Sequence, residues 1–383
     1  MTFVYDPTDP AFAAQSHDIY RRLRDDFPVW RDPGNRFYAL SRFDDVLGAA
    51  RDWETFSSTG KLEAQYIKPT MNSYDPPRHT QLRALISRGF TPRRVADIEP
   101  QVRSIARRLL DEFSTSSSAE LIAQFAGPLP AMVMGRLIGL PDAVVVECRE
   151  LTDEFMHHTK PSDAFKPANR AYEIFAELYD QRRRHPEDDL LTALVQAEID
   201  GERLNEDDLL SFAWLLLVGG NDTTTNLIAN GLELFARHPD QRQRLVADPS
   251  LLGPATDEVL RYASPTHTLP RTALLDVELH GTTVPAGSRV LLLWSAANLD
   301  EREFPDPERF DIDRRPTRHL AFGHGVHYCL GASLAKLEAR VAWEELLRRV
   351  PDYAITVEPH HFVSSTFYGW EALHVQLAPP AAG

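Results

Sequence analysis

Apolar side chains recur at three- and four-residue intervals along most of the chain, a period that predicts helices. Residues 19–27 read as a short amphipathic helix with Arg21, Arg22 and Arg24 on its wet side. In 102–113, Ile105, Leu109 and Leu110 keep helical spacing, and 172–184 closes on an arginine run and the stop signal His185-Pro186. Residues 190–199 follow, before a turn at Asp200-Gly201. A long helix is predicted from about 206 to 237, ending at His238-Pro239 and apolar nearly all round over 212–218, the mark of a buried helix. Strand-like pieces are fewer: 37–40, 277–279 and 289–294. The last two flank Gly281 and Pro285-Ala286-Gly287 and predict a small hairpin. The Pro-, Asp- and Arg-rich segment 304–316 reads as irregular, and 379–383 as a frayed tail. With no repeat or low-complexity linker, the pattern predicts a mainly α fold with small β-sheets.

Charge and composition narrow the class. The 383 residues carry 41 Lys and Arg against 56 Asp and Glu, a net charge of −15, which argues against nucleic acid as a bulk partner. Length alone allows two domains or one large one. The longest apolar runs, 212–218 and 290–294, fall far short of the ~20 residues that span a bilayer. No basic stretch followed by an apolar run opens the chain, so a cytoplasmic protein without a membrane partner is expected. Cys148 and Cys329 cannot build a disulfide framework or a C-x-x-C zinc site.

The densest chemistry lies in Phe322-Gly323-His324-Gly325-Val326-His327-Tyr328-Cys329-Leu330-Gly331. Glycines permit positive φ and a close approach of backbone to a ligand. After Cys329 the pattern turns helical, with Leu330, Leu334, Leu337 and Val341 on one face. The cysteine therefore sits near a helix N-terminus, where free N–H groups favour a thiolate. A thiolate presented by such a loop beneath a flat ligand suits axial ligation of haem iron. The other readings are a buried cysteine beside a flexible loop, or a nucleophile with His327 as base; two residues across a rigid turn place that base badly. Cys148, in a polar-flanked helical stretch, reads as inert.

This loop resembles the haem-binding signature of the cytochrome P450 family, Phe-Gly-x-Gly-x-His/Arg-x-Cys-x-Gly, with every fixed position matched. The resemblance implies one domain over residues 1–383, haem b (iron protoporphyrin IX) as cofactor, Cys329 as the iron ligand and His327 on a propionate. Further motifs extend it. His79 and Arg83, four apart in Asp75-Pro76-Pro77-Arg78-His79-Thr80-Gln81-Leu82-Arg83, share a helix face, and the resemblance gives them, with Arg271, to the propionates. Glu258 and Arg261 have ion-pair spacing and resemble the family's buried Glu-Arg-Arg cluster, with Arg309 as the expected third member. His319 is expected to do no more than cap.

In the long helix, Gly219-Gly220 cost about 2 kcal/mol relative to alanine and polar residues follow at once. That points to an opened helix with a small groove, or to a kink around a satisfied polar cluster. The stretch resembles the family's oxygen-activation motif, in which Thr223 would hydrogen-bond the bound dioxygen and Asp222 would feed protons from solvent. Two stretches depart from the family pattern: Asn298-Leu299-Asp300, and Tyr368-Gly369-Trp370 near the C-terminus.

The resemblance implies a monooxygenase that puts one atom of O2 into a small organic substrate. Electrons would come from a ferredoxin or flavodoxin with its NAD(P)H reductase. A peroxide-driven oxygenase and a non-catalytic haem sensor are the rivals, both disfavoured by the acid–alcohol pair. Eight arginines from Arg78 to Arg108 against Asp97 and Glu99 predict a donor-docking face, with Arg103 and Arg107 in it. Expected pocket walls include Lys61, Lys68, His157 and His158, consistent with a substrate bearing a polar or anionic end.

Overall fold

The computed structural model describes residues 3–9, 11–59, 67–156, 165–199 and 201–377. Lys61, His157, His158 and the tail 379–383 therefore lie outside the described residues. Fourteen α-helices stand among those described: α1 (Phe12–Asp26), α2 (Phe43–Arg51), α3 (Arg78–Ser87), α4 (Pro92–Phe113), α5 (Pro128–Ile138), α6 (Asp142–Met156), α7 (Phe165–Arg184), α8 (Leu190–Val195), α9 (Glu206–Gly220), α10 (Asp222–Arg237), α11 (Pro239–Ala247), α12 (Leu252–Tyr262), α13 (Trp294–Asn298) and α14 (Ala332–Arg349).

Several helices exceed the periodic stretch that announces them. α4 begins ten residues before 102 because Thr91 caps it, accepting from Arg94 N, and Pro92 takes a first-turn position where no N–H is missed. Pro100 reads as a breaker, yet the helix runs through it, held by a buried stripe that includes Val95, Val102, Ile105 and Leu109. α8 is shorter than expected, since Glu198–Ile199 leaves it to pair with Glu202–Arg203. The single helix expected over 206–237 is two segments, parted at Asn221.

The main sheet has five strands. β1 (Val29–Arg31), β2 (Tyr38–Leu40), β3 (Phe56–Ser57), β7 (Thr268–Ala273) and β10 (Arg289–Leu293) lie in the order β1-β2-β10-β7-β3. β4 (Ser118–Glu120), β11 (Tyr353–Ile355) and β12 (His374–Leu377) form a second sheet, and β5 (Glu198–Ile199) with β6 (Glu202–Arg203) a two-stranded ribbon. The hairpin expected between 277–279 and 289–294 is not formed. β8 (Val277–Leu279) instead pairs with β9 (Thr282–Val284). His280 and Gly281 both take positive φ, the two-residue turn that matches strand twist. β10 departs to pair with β7 and β2, and Trp294 opens α13 rather than ending the strand.

α10 and α14 cross in the core, where Trp343 Nε1 donates to the Ile228 carbonyl at 3.1 Å. The thread that ties α12 to the irregular segment before the cysteine is a buried ion cluster. Arg261 donates to Glu258 at 2.7 and 2.8 Å, with both side chains fully buried. Its other nitrogen reaches the carbonyls of Asn298 and Pro307. The third member is Arg314, 3.1 Å from Glu258, and not Arg309. The chain turns at Asp306 (φ 48°), the Arg309 carbonyl accepts from Arg314, and the Arg309 side chain stands 71% exposed beside Asp311. His319 does not cap; its Nε2 lies 3.2 Å from Asp257. Asn298, the first residue of one departure, is fully buried and ties Leu320 N to Ser264. Among the described residues no helix is long and apolar enough to cross a membrane.

Candidate active site

The cysteine loop is a chain reversal closed by Cys329 N donating to the Phe322 carbonyl at 2.9 Å. Gly323 and Gly325 take φ of 65° and 71°. At Gly325 a Cβ would lie 2.5 Å from the Ala50 carbonyl at the end of α2, so the loop seats against that helix only with glycine there. Three residues past Cys329 the chain enters α14, and the nearby backbone N–H groups of Gly331 and Ala332 favour the Cys329 thiolate. Burial nonetheless pushes the free thiol up, against those donors and the nearby Arg83. A coordinating cation reverses that balance, because a metal-bound thiol gives up its proton. Cys148, by contrast, is buried on α6 and burial pushes it up to about 12, which leaves it inert.

α3 brings His79 to this loop. Its ring is 1% exposed and lies 4.3 Å, centroid to centroid, from the His327 ring. Neither His79 nitrogen has a hydrogen-bond partner among the described residues. Burial, then Arg83, hold His79 below the usual histidine range, while Asp75 opposes them. Arg83 bonds the cysteine loop itself, donating to the Tyr328 carbonyl at 2.7 Å. Arg271, on β7, is buried; its side chain donates to the adjacent Pro270 carbonyl, and burial lowers it to about 10. Two buried basic groups with Asp75 nearby but no acid hydrogen-bonded to either among the described residues, together with a thiol near backbone N–H groups, fit a group that carries both carboxylates and a metal cation. His79, His327, Arg83 and Cys329 are thus brought together. Arg271 approaches from the sheet, sharing with His79 the influence of Asp75.

On the other side stand α9 and α10. The helix opens where the Thr223 hydroxyl donates to the Gly219 carbonyl at 2.8 Å. Asp222 begins α10 and is buried; Asn221 Nδ2 donates to its Oδ1 at 3.1 Å and to Thr152 Oγ1 at 2.8 Å. Burial and Asp153 push the Asp222 carboxyl well above the usual range, with Thr152 and Arg149 opposing. Gly369, in the second departure, lies against α10: a Cβ there would stand 2.1 Å from Asn226 Oδ1. Trp370 beside it stacks on His361 at 3.6 Å.

The docking face expected along 78–108 is largely consumed by internal pairing. Arg78 pairs with Asp208, and Arg103 donates to Glu99, Glu344 and Glu345. Arg107 pairs with the buried Glu345. These arginines brace α4 against α14. Lys68, an expected pocket wall, is paired with Asp207. Sequence reasoning missed a second basic group. Arg51 and Arg315 line a cleft of about 600 Å3 with Tyr328, the neighbour of Cys329, in its wall; there Arg318 is paired with Glu303, Lys336 is paired with Asp257, and burial holds His324 below the usual histidine range. Residues from four separate stretches meet there, so no local signal marks them. The Thr152 and Asp153 contact with Asp222 was equally invisible, some seventy residues apart in the chain.

A fold of buried α10 and α14 around a cysteine loop, with an opened helix opposite, defines a haem-thiolate enzyme. The chain belongs to the cytochrome P450 family. Residues 157–351 match the family model "Cytochrome P450". "Cytochrome P450 monooxygenase PikC" from Streptomyces venezuelae is 39% identical over 366 residues, 92% of this chain and 88% of that protein. "Methyl-branched lipid omega-hydroxylase" from Mycobacterium tuberculosis is 39% identical over 360 residues, 89% of this chain and 84% of that one. The solved structure of cytochrome P450 CYP109Q5 from Chondromyces apiculatus superposes with a TM-score of 0.91 at 36% identity, covering 99% of each chain. The protein is a cytochrome P450 monooxygenase, and its cofactor is haem b.

Proposed function

We infer that this chain is a single-domain monooxygenase that inserts one oxygen atom of O2 into a small or medium organic substrate, the other leaving as water. The observation that carries the reading is the Cys329 loop, tied to Arg83 and packed by His327 against the buried His79, whose ring nitrogens have no hydrogen-bond partner among the described residues. Cys329 would hold the iron; His79, Arg83, Arg271 and His327 would hold the propionates. Haem, when bound, supplies oxygen activation and transfer. Asp222, kept protonated by its burial, holds a proton at the opened helix, and Thr223 presents a hydroxyl one residue on to pass it forward. The test is the reduced CO complex: it should show the red-shifted Soret band of thiolate ligation. Cys329→Ala should abolish that band and Cys148→Ala should keep it; a band retained without Cys329 sinks the assignment.

The electron donor is a separate ferredoxin or flavodoxin, fed by its NAD(P)H reductase. Its acidic surface suits the cleft around Arg51 and Arg315 beside Tyr328, on a protein whose net charge is −15. Reduction by such a donor should slow as salt rises, and Arg51→Glu with Arg315→Glu should slow it at low salt. Charge reversal that leaves the low-salt rate unchanged removes the cleft from consideration. The pairing of Lys68 with Asp207 takes away one reason for an anionic substrate. Substrates of the relatives' kind, lipid chains among them, are the first to screen by Soret shift.

A further inference from the structure

Beside the start of α10 lies a second, smaller cleft of about 210 Å3. Its walls include Arg149 and Asp153 of α6, Asp222 and Thr225 of α10, and Trp370 and Glu371 of the C-terminal segment. Three of these residues carry a buried polar atom with no hydrogen-bond partner among the described residues: Asp222 Oδ2, Thr225 Oγ1 and Trp370 Nε1. Buried polar atoms are rarely left unmatched, and a cleft this size with several such atoms in its walls is a place for ordered water.

Asp222 and Asp153 are unlike. Asp222 is 6% exposed, whereas the Asp153 side chain is half in water with Arg149 Nε 3.8 Å away. Both residues line this cleft, and the Asp153 carboxyl acts to raise that of Asp222. Two carboxylates in contact do not both ionise easily. With an arginine favouring charge on the wet member, the proton belongs on the dry one.

We propose that Asp153 and Asp222 share one proton across this cleft, and that Asp153 reloads Asp222 from solvent each time Asp222 gives its proton up. The proposal rests on the proton-holding role given to Asp222 above. Hydronium in the cleft protonates the Asp153 carboxylate; the proton passes to the Asp222 carboxylate, and Asp153 is a carboxylate again. No electron moves and no heavy-atom bond changes. Asp153 touches none of the reacting atoms and is a positioning residue. Among the described residues the other charged groups around the cleft are Arg149, Glu371 and Glu120, and Glu120 already accepts from the N–H groups of Ile122, Ala123 and Leu373.

The test is infrared titration of the ferric holoprotein, following a carboxylic C=O band that shifts in D2O. The wild type should hold such a band above the pH at which ordinary carboxyls ionise, beside those of the buried Glu233 and Glu338, and Asp222→Asn should remove the component that belongs to Asp222. Asp153→Asn takes away a neighbouring negative charge and should lower the midpoint by about one pH unit, whereas Arg149→Gln should raise it. In turnover, Asp153→Asn should slow product formation about tenfold with a larger solvent isotope effect, and Asp153→Glu should restore both. A midpoint unmoved by Asp153→Asn, a spectrum unchanged by Asp222→Asn, or an unchanged isotope effect overturns the proposal. The infrared reading needs no turnover, so its failure is distinct from failure of the monooxygenase reading, which the CO spectrum of the Cys329 variant tests.

Discussion

Two buried polar regions of this molecule behave in opposite ways. At Glu258, Arg261 and Arg314, charged groups are drawn fully into the protein, and both Glu258 oxygens accept from an arginine. At Asp222, the helix is open, and Asp222 Oδ2, Asn221 Oδ1 and Thr225 Oγ1 are buried with no hydrogen-bond partner among the described residues. An unmatched buried polar atom costs about 1–3 kcal/mol, so a fold keeps such atoms where they do something. A closed network holds architecture; an open one holds water, protons or a ligand. The same contrast separates Arg103, paired with three glutamates, from Arg271, which among the described residues donates to its neighbour's carbonyl.

The closed network should break hardest. Glu258→Gln leaves Arg261 and Arg314 buried with no anion, and breaking a buried pair this way costs about 3–5 kcal/mol. Denaturant unfolding of the holoprotein should show that loss, together with haem release, because the cluster fastens α12 to the segment that leads to the cysteine loop. A loss below about 1 kcal/mol would mean that water enters and solvates the cluster. Arg314→Ala should cost less, about 1–3 kcal/mol. It leaves the Arg261–Glu258 pair intact but strands the carbonyls of Pro305, Asp306 and Arg309.

This contrast also explains what could be read from the chain. The cysteine loop, the Glu258–Arg261 spacing and the opened helix are local patterns, written within about ten residues each, and they were legible. Arg314 was not, because Arg309 and Arg314 both lie in an irregular segment without period, and only the turn at Asp306 decides which side chain goes inward. The full length of α4 was hidden by Pro100, a breaker by every local rule, which tertiary burial of the helix overrides. The hairpin was mispaired because two turn signals, His280-Gly281 and Pro285-Ala286-Gly287, compete for it, and the shorter loop closes first. The pairing inside the expected docking face was not legible, because a count of arginines does not see Glu344 and Glu345, more than two hundred residues away, which pair with Arg103 and Arg107.

The open region predicts a pH signature. Burial, then Asp153, raise the Asp222 carboxyl in the folded state, so the folded protein binds that proton more tightly than the unfolded chain does. The stabilisation is fully present below the ordinary aspartate pKa and is lost as pH rises through the folded value. Asp222→Asn removes the titration. Its stability relative to wild type should therefore improve from acid to alkaline pH. Parallel unfolding curves for Asp222→Asn and wild type over that range would show that Asp222 is ionised in both states.

The smallest effect is the sharpest test of which arginine closes the network. Arg309 occupies the position at which the family pattern placed a cluster member, but its side chain lies in water beside Asp311 at 3.7 Å. What the cluster uses is its main chain: the carbonyl accepts from Arg314 at 3.0 Å, and the N–H donates to Asp306 at 3.0 Å. Neither depends on the side chain. An exposed ion pair of that length contributes little, so Arg309→Ala should change stability by no more than about 0.5 kcal/mol, with haem content unchanged. Measured beside Arg314→Ala under one set of conditions, the two variants should differ severalfold. If Arg309→Ala were the more damaging, the irregular segment would have to present the other arginine to Glu258, and the closed network would have been drawn through the wrong residue.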